Sequence, residues 1–244
     1  MKTESVRVQR EMGSEKTRRK RYAELIIGKK DLWSMVKYEL IVMLCAGMPG
    51  ALGLLLRSRL YPHLLKKCGH NVMFGTNVVM RHPNKIEIED DVIIDDNCLL
   101  DAKGRDNSGI KIGKSVFIGR NSIMSCKNGD IQLGENVNIG FNVEIFSGSS
   151  VVVGKDTHIA AYSYLIGGDH IIDDVNSSIT EQGSISHGIV IGNNCWLGAA
   201  VKVLDNISVG DNVIIGAGAV VIKNIAENIV AAGVPAKIIK TRLL

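Results

Sequence analysis

The residues best suited to chemistry lie in one short segment. Residues 165–174 read LIGGDHIIDD and set a single histidine, His170, among glycines and carboxylates. Imidazole has the ordinary pKa closest to neutrality, so His170 can take a proton from a hydroxyl as that hydroxyl attacks a carbonyl. Glu181 lies in the same segment and is the carboxylate assigned to orient the ring, although Asp169, Asp173 and Asp174 are also near in sequence. A loop carboxylate bathed in water is the plainer reading of all four. The other histidines carry less promise. His158 precedes an inward residue and should face outward, His187 leaves the loop, and His63, His70 and His82 lie at a corner or outside the regular part.

His170 must be held by something, and the chain around it has a marked rhythm. After about residue 70 it reads as short apolar triplets followed by Gly and a polar turn, as in VFIGRN, VNIGFN, ISVGDN and VIIGAG. The second apolar residue falls at Ile191, Leu197, Val203, Val209, Ile215 and Val221, in successive steps of six. That period is neither helical nor that of an antiparallel meander. Read backward, the units group in threes, Ile88, Ile94, Leu100 to Val153, Ile159, Leu165, with Phe74 and Met80 as a partial first set. Every departure from six follows the third member, so insertions leave at a single corner. An eighteen-residue coil with three walls follows, its apolar residues pointing into a triangular prism that is buried only by stacking on neighbouring coils. Gly113, Gly119, Gly134, Gly140, Gly192, Gly210 and Gly216 are expected to allow tight corners. The longest departure, residues 167–190 (GGDHIIDDVNSSITEQGSISHGIV), is the loop that carries His170. An insertion of that length in a regular solenoid is usually functional.

Ahead of the repeat the composition changes. Residues 1–30 hold ten Lys/Arg against four Glu, and residues 40–56 (LIVMLCAGMPGALGLLL) carry no charge. Lys29, Lys30 and Lys37 precede this run and Arg57 and Arg59 follow it. Seventeen apolar residues are at the lower edge for a bilayer span, and Gly47, Pro49, Gly50 and Gly53 would break a helix midway. The expectation is a basic, apolar helical extension over 1–70. Its residues 40–56 either touch the inner face of a membrane or cover the first rungs of the prism, with basic residues at the headgroups in the former case. The prism is expected over 71–226 and a tail over 227–244. No secretory signal is expected, since the first apolar run comes late and lacks a small-residue cleavage site. Five scattered cysteines, Cys45, Cys68, Cys98, Cys126 and Cys195, suggest neither a disulfide framework nor a zinc cage, and a cytoplasmic setting fits.

The hexapeptide rhythm, continuous over roughly 150 residues, together with the closing stretch GAGAVVIKNIAENIVAAGVPAKIIK, resembles the hexapeptide-repeat acyltransferase superfamily. Within it the chain is similar to the galactoside, maltose and polysaccharide O-acetyltransferases. The resemblance implies a mainly β fold, a left-handed parallel β-helix, and a homotrimer with sites between neighbouring prisms. It implies transfer of an acetyl group from acetyl-CoA to a saccharide hydroxyl, with no metal and no nucleic acid. It places the general base at His170, where this chain has Gly-Asp-His-Ile in place of the family's Gly-His-Pro. Asn142, in GFNVEIF, falls where related enzymes hold the acceptor, and Trp196, in NNCWLG, where they place an indole beside it; Asp169 is a further acceptor-binding candidate. Ala199, Gly216, Ala217 and Gly218 would admit the thin pantetheine arm, and Lys223, Lys237 and Lys240 would meet the coenzyme's phosphates. Two other readings follow from the same prism. A hydratase similar to γ-class carbonic anhydrase needs a close histidine pair and a third from a neighbouring face, whereas His158 and His170 stand twelve apart and His187 follows a long loop. The other is a non-catalytic scaffold.

Overall fold

The computed structural model describes residues 17–242. From Lys67 onward the chain winds as a parallel β-helix with three faces. Face 1 runs from Lys67–Cys68 to Ile207–Val209, face 2 from Met73–Phe74 to Ile229–Ala232, and face 3 from Val79–Arg81 to Val220–Val221. The register follows the inward residues read from the sequence. Phe74, Ile94, Ile118, Ile139, Ile159, Leu197 and Ile215 stack as successive partners on face 2. Met80, Leu100, Met124, Ile145, Leu165, Val203 and Val221 do so on face 3. All are buried. Each rung hides its apolar side chains only beneath the next, so the core is one continuous column.

The stack is longer at both ends than the rhythm indicated. Lys67–Cys68 pairs with Glu87 and Ile88 and completes the first coil. Beyond the seventh coil, Ile229–Ala232 continues face 2, and Lys237–Thr241 turns back to pair with it antiparallel. The segment expected as a tail thus covers the open edge of that sheet, where unpaired N–H and C=O groups would otherwise invite another strand.

The corners are built differently from the expectation. None of the seven glycines named above has a positive φ. The left-handed residue lies two positions on and is chiefly Asn or Asp, as at Asn71, Asp91, Asn121, Asn136, Asn142, Asp156 and Asn212. These side chains tolerate that conformation best after Gly. The glycines are needed for close approach instead: a Cβ on Gly119 would sit 2.7 Å from the backbone carbon of Gly140 in the next coil. Buried hydroxyls knit successive coils. Ser163 Oγ donates to the Gly198 carbonyl at 3.1 Å and accepts from Val201 N–H at 3.2 Å. Thr157 does the same between Gly192 and Cys195. A buried hydroxyl so satisfied carries little desolvation cost.

The N-terminal part is helical. Helix α1 (Arg18–Tyr22) runs into a π turn over Ala23–Ile27, followed by α2 (Leu32–Cys45) and α3 (Gly50–Leu60). Asp31 caps α2 by accepting from Ser34 N–H at 2.8 Å, and that bond holds its carboxyl below the usual range. The break between α2 and α3 falls at Gly47 and Pro49, as the sequence suggests. Tyr38, Ile41 and Cys45 of α2 join Tyr61, Phe74 and Met80 in the core, with Tyr61 edge-on to Phe74 at 5.3 Å. Arg57 is not at a headgroup position: it is 2% exposed. Its Nε donates to Phe74 O at 2.9 Å and its Nη1 to Cys45 O at 3.0 Å and Met48 O at 2.6 Å. The C-terminal carbonyls of α2 supply the negative ends of dipoles in place of a carboxylate. Gly53 makes room for this, since a Cβ there would lie 1.9 Å from Met48 O. Among the described residues no helix is long and apolar enough to cross a membrane.

Candidate active site

Three edges separate the faces, and the candidate residues are divided among them. Edge 3, between faces 3 and 1, releases the long loop. Gly167 is still in register with Ser147 on face 3. The chain then forms a small hairpin in which Asp169 and His170 pair with Ile185 and Ser184. His170 is exposed, and its ring makes no hydrogen bond with a described residue. Asp169 turns its carboxylate to the His170 backbone N–H at 2.7 Å, so it shapes the strand and does not hold the ring.

Glu181 requires a correction. It ends a capping box on α4 (Ile179–Gln182): its Oε2 accepts from Ser178 Oγ at 2.8 Å and Ser178 N–H at 3.1 Å, while Ser178 Oγ accepts from Glu181 N–H. Those bonds hold its carboxyl below the usual value. The Ser-Ile-Thr-Glu spacing at 178–181 signals this role, and Glu181 makes no hydrogen bond to the His170 ring.

Edge 2, between faces 2 and 3, carries Asn142, Ala199, Ala217 and Gly218. Their stacking is shown by the backbone ladder Asn142 N–H to Arg120 O, Tyr162 N–H to Phe141 O, Ala200 N–H to Ala161 O and Gly218 N–H to Ala199 O. Asn142 is a left-handed corner residue with φ of 52°, and its side-chain amide has no partner among the described residues. From the fifth coil the position ahead of this corner is Ala161, Ala199 and Ala217, so the edge is bare. The backbone N–H groups of these three alanines find no acceptor among the described residues. On earlier coils of the same edge, by contrast, Asp95 and Asp96 accept from Arg120 N–H and Thr76 N–H. The bare strip ends at a cluster the sequence reading missed. Arg120 lies over the Phe141 ring at 5.1 Å, and Phe141 meets Tyr162 edge-on at 5.5 Å. Tyr162 is 61% exposed and has φ of 62°, a conformation a bulky residue rarely takes. Its place in the rhythm, where other coils have Asn, Ala or Gly, was the signal for it.

The remaining candidates are elsewhere. Trp196 stands in the middle of face 2, 56% exposed, between His158 and Ile214. It lines a shallow groove of about 640 Å³ with Asn136, Asp156, His158 and Arg242. Lys237 and Lys240 are exposed on the antiparallel strand at the end of face 2, and Lys223 is exposed past the last strand of face 3. Gly216 is half-buried beside Ala232. A second missed pair is His187 with Asp205, whose carboxylate accepts from His187 N–H at 2.8 Å and Gly188 N–H at 2.8 Å and meets Nδ1 at 3.1 Å. Eighteen residues, one coil, separate them, so the period itself could have revealed the contact. Asp205 thereby clamps the end of the hairpin that rejoins face 1.

One chain therefore presents two half-sites. Between Tyr162, stacked beside Asn142, and Gly168 lie five residues, six steps of chain that span about 20 Å at 3.3 Å per step. Proton transfer needs contact at hydrogen-bond distance, about 3 Å. Within one chain, therefore, His170 on edge 3 and the strip on edge 2 are held apart by the width of face 3. Among the described residues no group of three His, Cys, Asp or Glu side chains could hold a metal. His158 lies on face 2, whereas His170 and His187 lie at edge 3. All five thiols are free, and burial pushes those of Cys68 and Cys98 up to about 11, so none is poised as a nucleophile.

Comparison with known proteins agrees with this architecture. The family described as "Bacterial transferase hexapeptide (six repeats)" matches residues 188–223, and "Hexapeptide repeat of succinyl-transferase" matches 131–165. A probable acetyltransferase of Mycobacterium tuberculosis is 31% identical over 135 residues, covering 55% of this chain and 45% of that one. The putative colanic acid biosynthesis acetyltransferase WcaF of Escherichia coli is 33% identical over 135 residues, covering 55% of this chain and 71% of that one. The chain thus spans less than half of the first relative and more than two thirds of the second. Among solved structures, AntD, an N-acyltransferase from Bacillus cereus in complex with dTDP and 3-hydroxybutyryl-CoA, superposes with a TM-score of 0.53 at 17% identity, over 73% of this chain and 84% of that one, a likeness of fold. With its coils, its register and the relative that it matches over most of that relative's length, the chain belongs to the hexapeptide-repeat acyltransferases.

Proposed function

We propose that the protein transfers an acetyl group from acetyl-CoA to a hydroxyl of a saccharide, a precursor of an exopolysaccharide, a lipopolysaccharide or a lipid-linked sugar. Relatives named for colanic acid and lipopolysaccharide biosynthesis support the acceptor class. The observation that carries the reading is the bare strip of edge 2, with unpartnered N–H groups at Ala161, Ala199 and Ala217, leading to Asn142.

The chemistry is a direct transfer. His170 Nε2 or Nδ1 removes the hydroxyl proton as the oxygen attacks the thioester carbon; the C–O bond forms, and the tetrahedral oxyanion collapses with loss of the coenzyme thiolate, which regains the proton from the imidazolium. A strip N–H on edge 2, that of Ala199 being central, donates to the oxyanion. Small residues at 199 and 216–218 admit the pantetheine arm, and Lys237 and Lys240, with Lys223, attract the phosphates. Asn142 holds the acceptor by its free amide, and Trp196 offers a face to a sugar ring. Two copies build each site, consistent with a homotrimer. The N-terminal helices bring the enzyme to the inner face of the cytoplasmic membrane, where lipid-linked acceptors reside.

The test is incubation with labelled acetyl-CoA and a panel of saccharides. His170→Ala is expected to lower turnover by about 10²- to 10⁴-fold with little change in acetyl-CoA binding. Unchanged acetyl transfer in that variant would refute the role of His170 and favour a scaffold or another base.

A further inference from the structure

Helix α2 buries one apolar side and leaves a second one uncovered. Tyr38, Ile41 and Cys45 face the core, whereas Trp33, Val36, Leu40, Met43 and Leu44 are exposed, Trp33 and Met43 each by 74%. At 100° per residue these five form a single stripe centred about 140° from the buried one. On α3, Leu52 and Leu55 are exposed as well, with Arg59 one turn further along the same side. Single exposed leucines are ordinary on a protein surface, but a continuous stripe of this kind calls for an occupant.

The charge distribution selects the occupant. Residues 17–67 hold eleven Lys/Arg against three Asp/Glu, whereas residues 68–244 hold fourteen against nineteen. Within the first group, Arg57 is buried, Lys37 binds the His63 carbonyl, and Lys30 and Lys66 pair with Glu24 and Glu87. Arg18, Arg19, Lys20, Lys29, Arg59 and Lys67 are exposed and make no ion pair with a described residue. Lys29 lies two residues ahead of the Asp31 cap of α2, and Arg59 one helical turn from Leu55. Two copies meeting through this face would press two positive surpluses together, which like-charge repulsion opposes. An anionic lipid surface satisfies the stripe and the charges at once. The fourteen residues of α2 span about 21 Å, short of the ~30 Å hydrocarbon core, so the helix can lie along the interface but not cross it.

We infer that the outer face of α2, with Leu52, Leu55 and Arg59 of α3, seats on an anionic bilayer, α2 lying in the headgroup plane with Trp33 at its apolar boundary. The seating is independent of acetyl transfer.

The chain has two tryptophans, so Trp196→Phe leaves Trp33 as the sole reporter. The full-length protein is mixed with phosphatidylcholine vesicles, or with vesicles containing about a third phosphatidylglycerol. The expected result is co-sedimentation with the anionic vesicles, a blue-shifted Trp33 emission, protection from iodide, and loss of binding in high salt. Trp33→Ser/Leu40→Ser/Met43→Ser is expected to lower vesicle partitioning at least about tenfold at an unchanged urea midpoint. Acetyl transfer to a soluble sugar would stay at the level of the parent, which separates this proposal from the one above. Absence of sedimentation with either vesicle overturns the inference, as does equal binding to both. So does a Trp33 already protected without lipid, with the triple variant lowering the oligomeric mass, because a second copy would then cover the face.

Discussion

The proposed division of the site between two chains makes a quantitative prediction. His170→Ala removes the base on edge 3, and Ala199→Trp places an indole on the bare strip of edge 2. Each variant alone should lose most activity, His170→Ala by about 10²- to 10⁴-fold. The ~20 Å of face 3 between the half-sites exceeds any reach of an imidazole, so under the proposed mechanism the intact halves come from different copies. In a cyclic oligomer formed from equal amounts of both variants, an interface is productive only when a His170-bearing chain faces an unobstructed strip. Random mixing gives that at one interface in four, and removing the two unmixed trimers by the double-tag purification raises it to one in three, so activity should return to about a third of the parent's, at least some thirtyfold above His170→Ala alone. The assay is acetyl transfer by differently tagged variants that are co-expressed and purified through both tags, with separately purified variants mixed without exchange as the control. Activity that stays at the level of the single variants would refute the reasoning, since both halves would then lie in one chain.

Other expectations concern the frame that positions the site. Replacing Arg57 by Met leaves the carbonyls of Phe74 and Met48 without a donor, and that of Cys45 with only the Met48 N–H at 3.3 Å, and should cost about 2 kcal/mol or more in urea unfolding, at about 1 kcal/mol or above per orphaned group; a loss below about 1 kcal/mol would show that water replaces the guanidinium. Burial holds the His82 imidazole below its ordinary pKa, against an opposing pull from Asp101 and with Lys85 and Lys103 acting in the same direction as burial. Its folded pKa lies below the unfolded 6.5, so stability is full above that value and is lost as pH falls through it toward the folded one. Because His82 binds the Ile26 and Glu24 carbonyls, the loss should be read as proteolysis of the N-terminal helices, and His82→Gln should abolish the pH step. Glu181→Gln should leave turnover within a few-fold of the parent, because its carboxylate serves Ser178; a hundredfold fall would return it to the imidazole. Ser163→Ala should lower stability by about 1–2 kcal/mol through the unpaired Val201 N–H and Gly198 carbonyl, measured by thermal unfolding.

What could be read in the linear chain and what could not divide along one physical line. An apolar residue every sixth position is a local instruction, since each rung needs only its own side chains and an identical neighbour to bury them, so Ile94, Ile118 and Ile139 were legible before any coordinates. The insertion at 167–190 and its lone His170 were legible for the same reason, as interruptions of a pattern. The corner chemistry was misread: the glycines mark close passage of the next coil, and that distance exists only after stacking. Glu181 was assigned by nearness in sequence, and a hydrogen bond to Ser178 decided otherwise. Arg57, grouped with the surface charges, was drawn into the core by carbonyls from α2 and the first coil, a set no composition announces.

The sequence by itself determined the period, the three-walled coil and the place where that coil is interrupted, because these depend on interactions between residues six or eighteen apart. Only the tertiary structure decided that His170 and the bare strip stand on different edges, that Asp205 clamps His187, and that α2 keeps a second apolar face outward. Those are relations between directions in space. A side chain's bearing around the prism accumulates over every turn of the winding, and it becomes definite only when the coils are stacked in register.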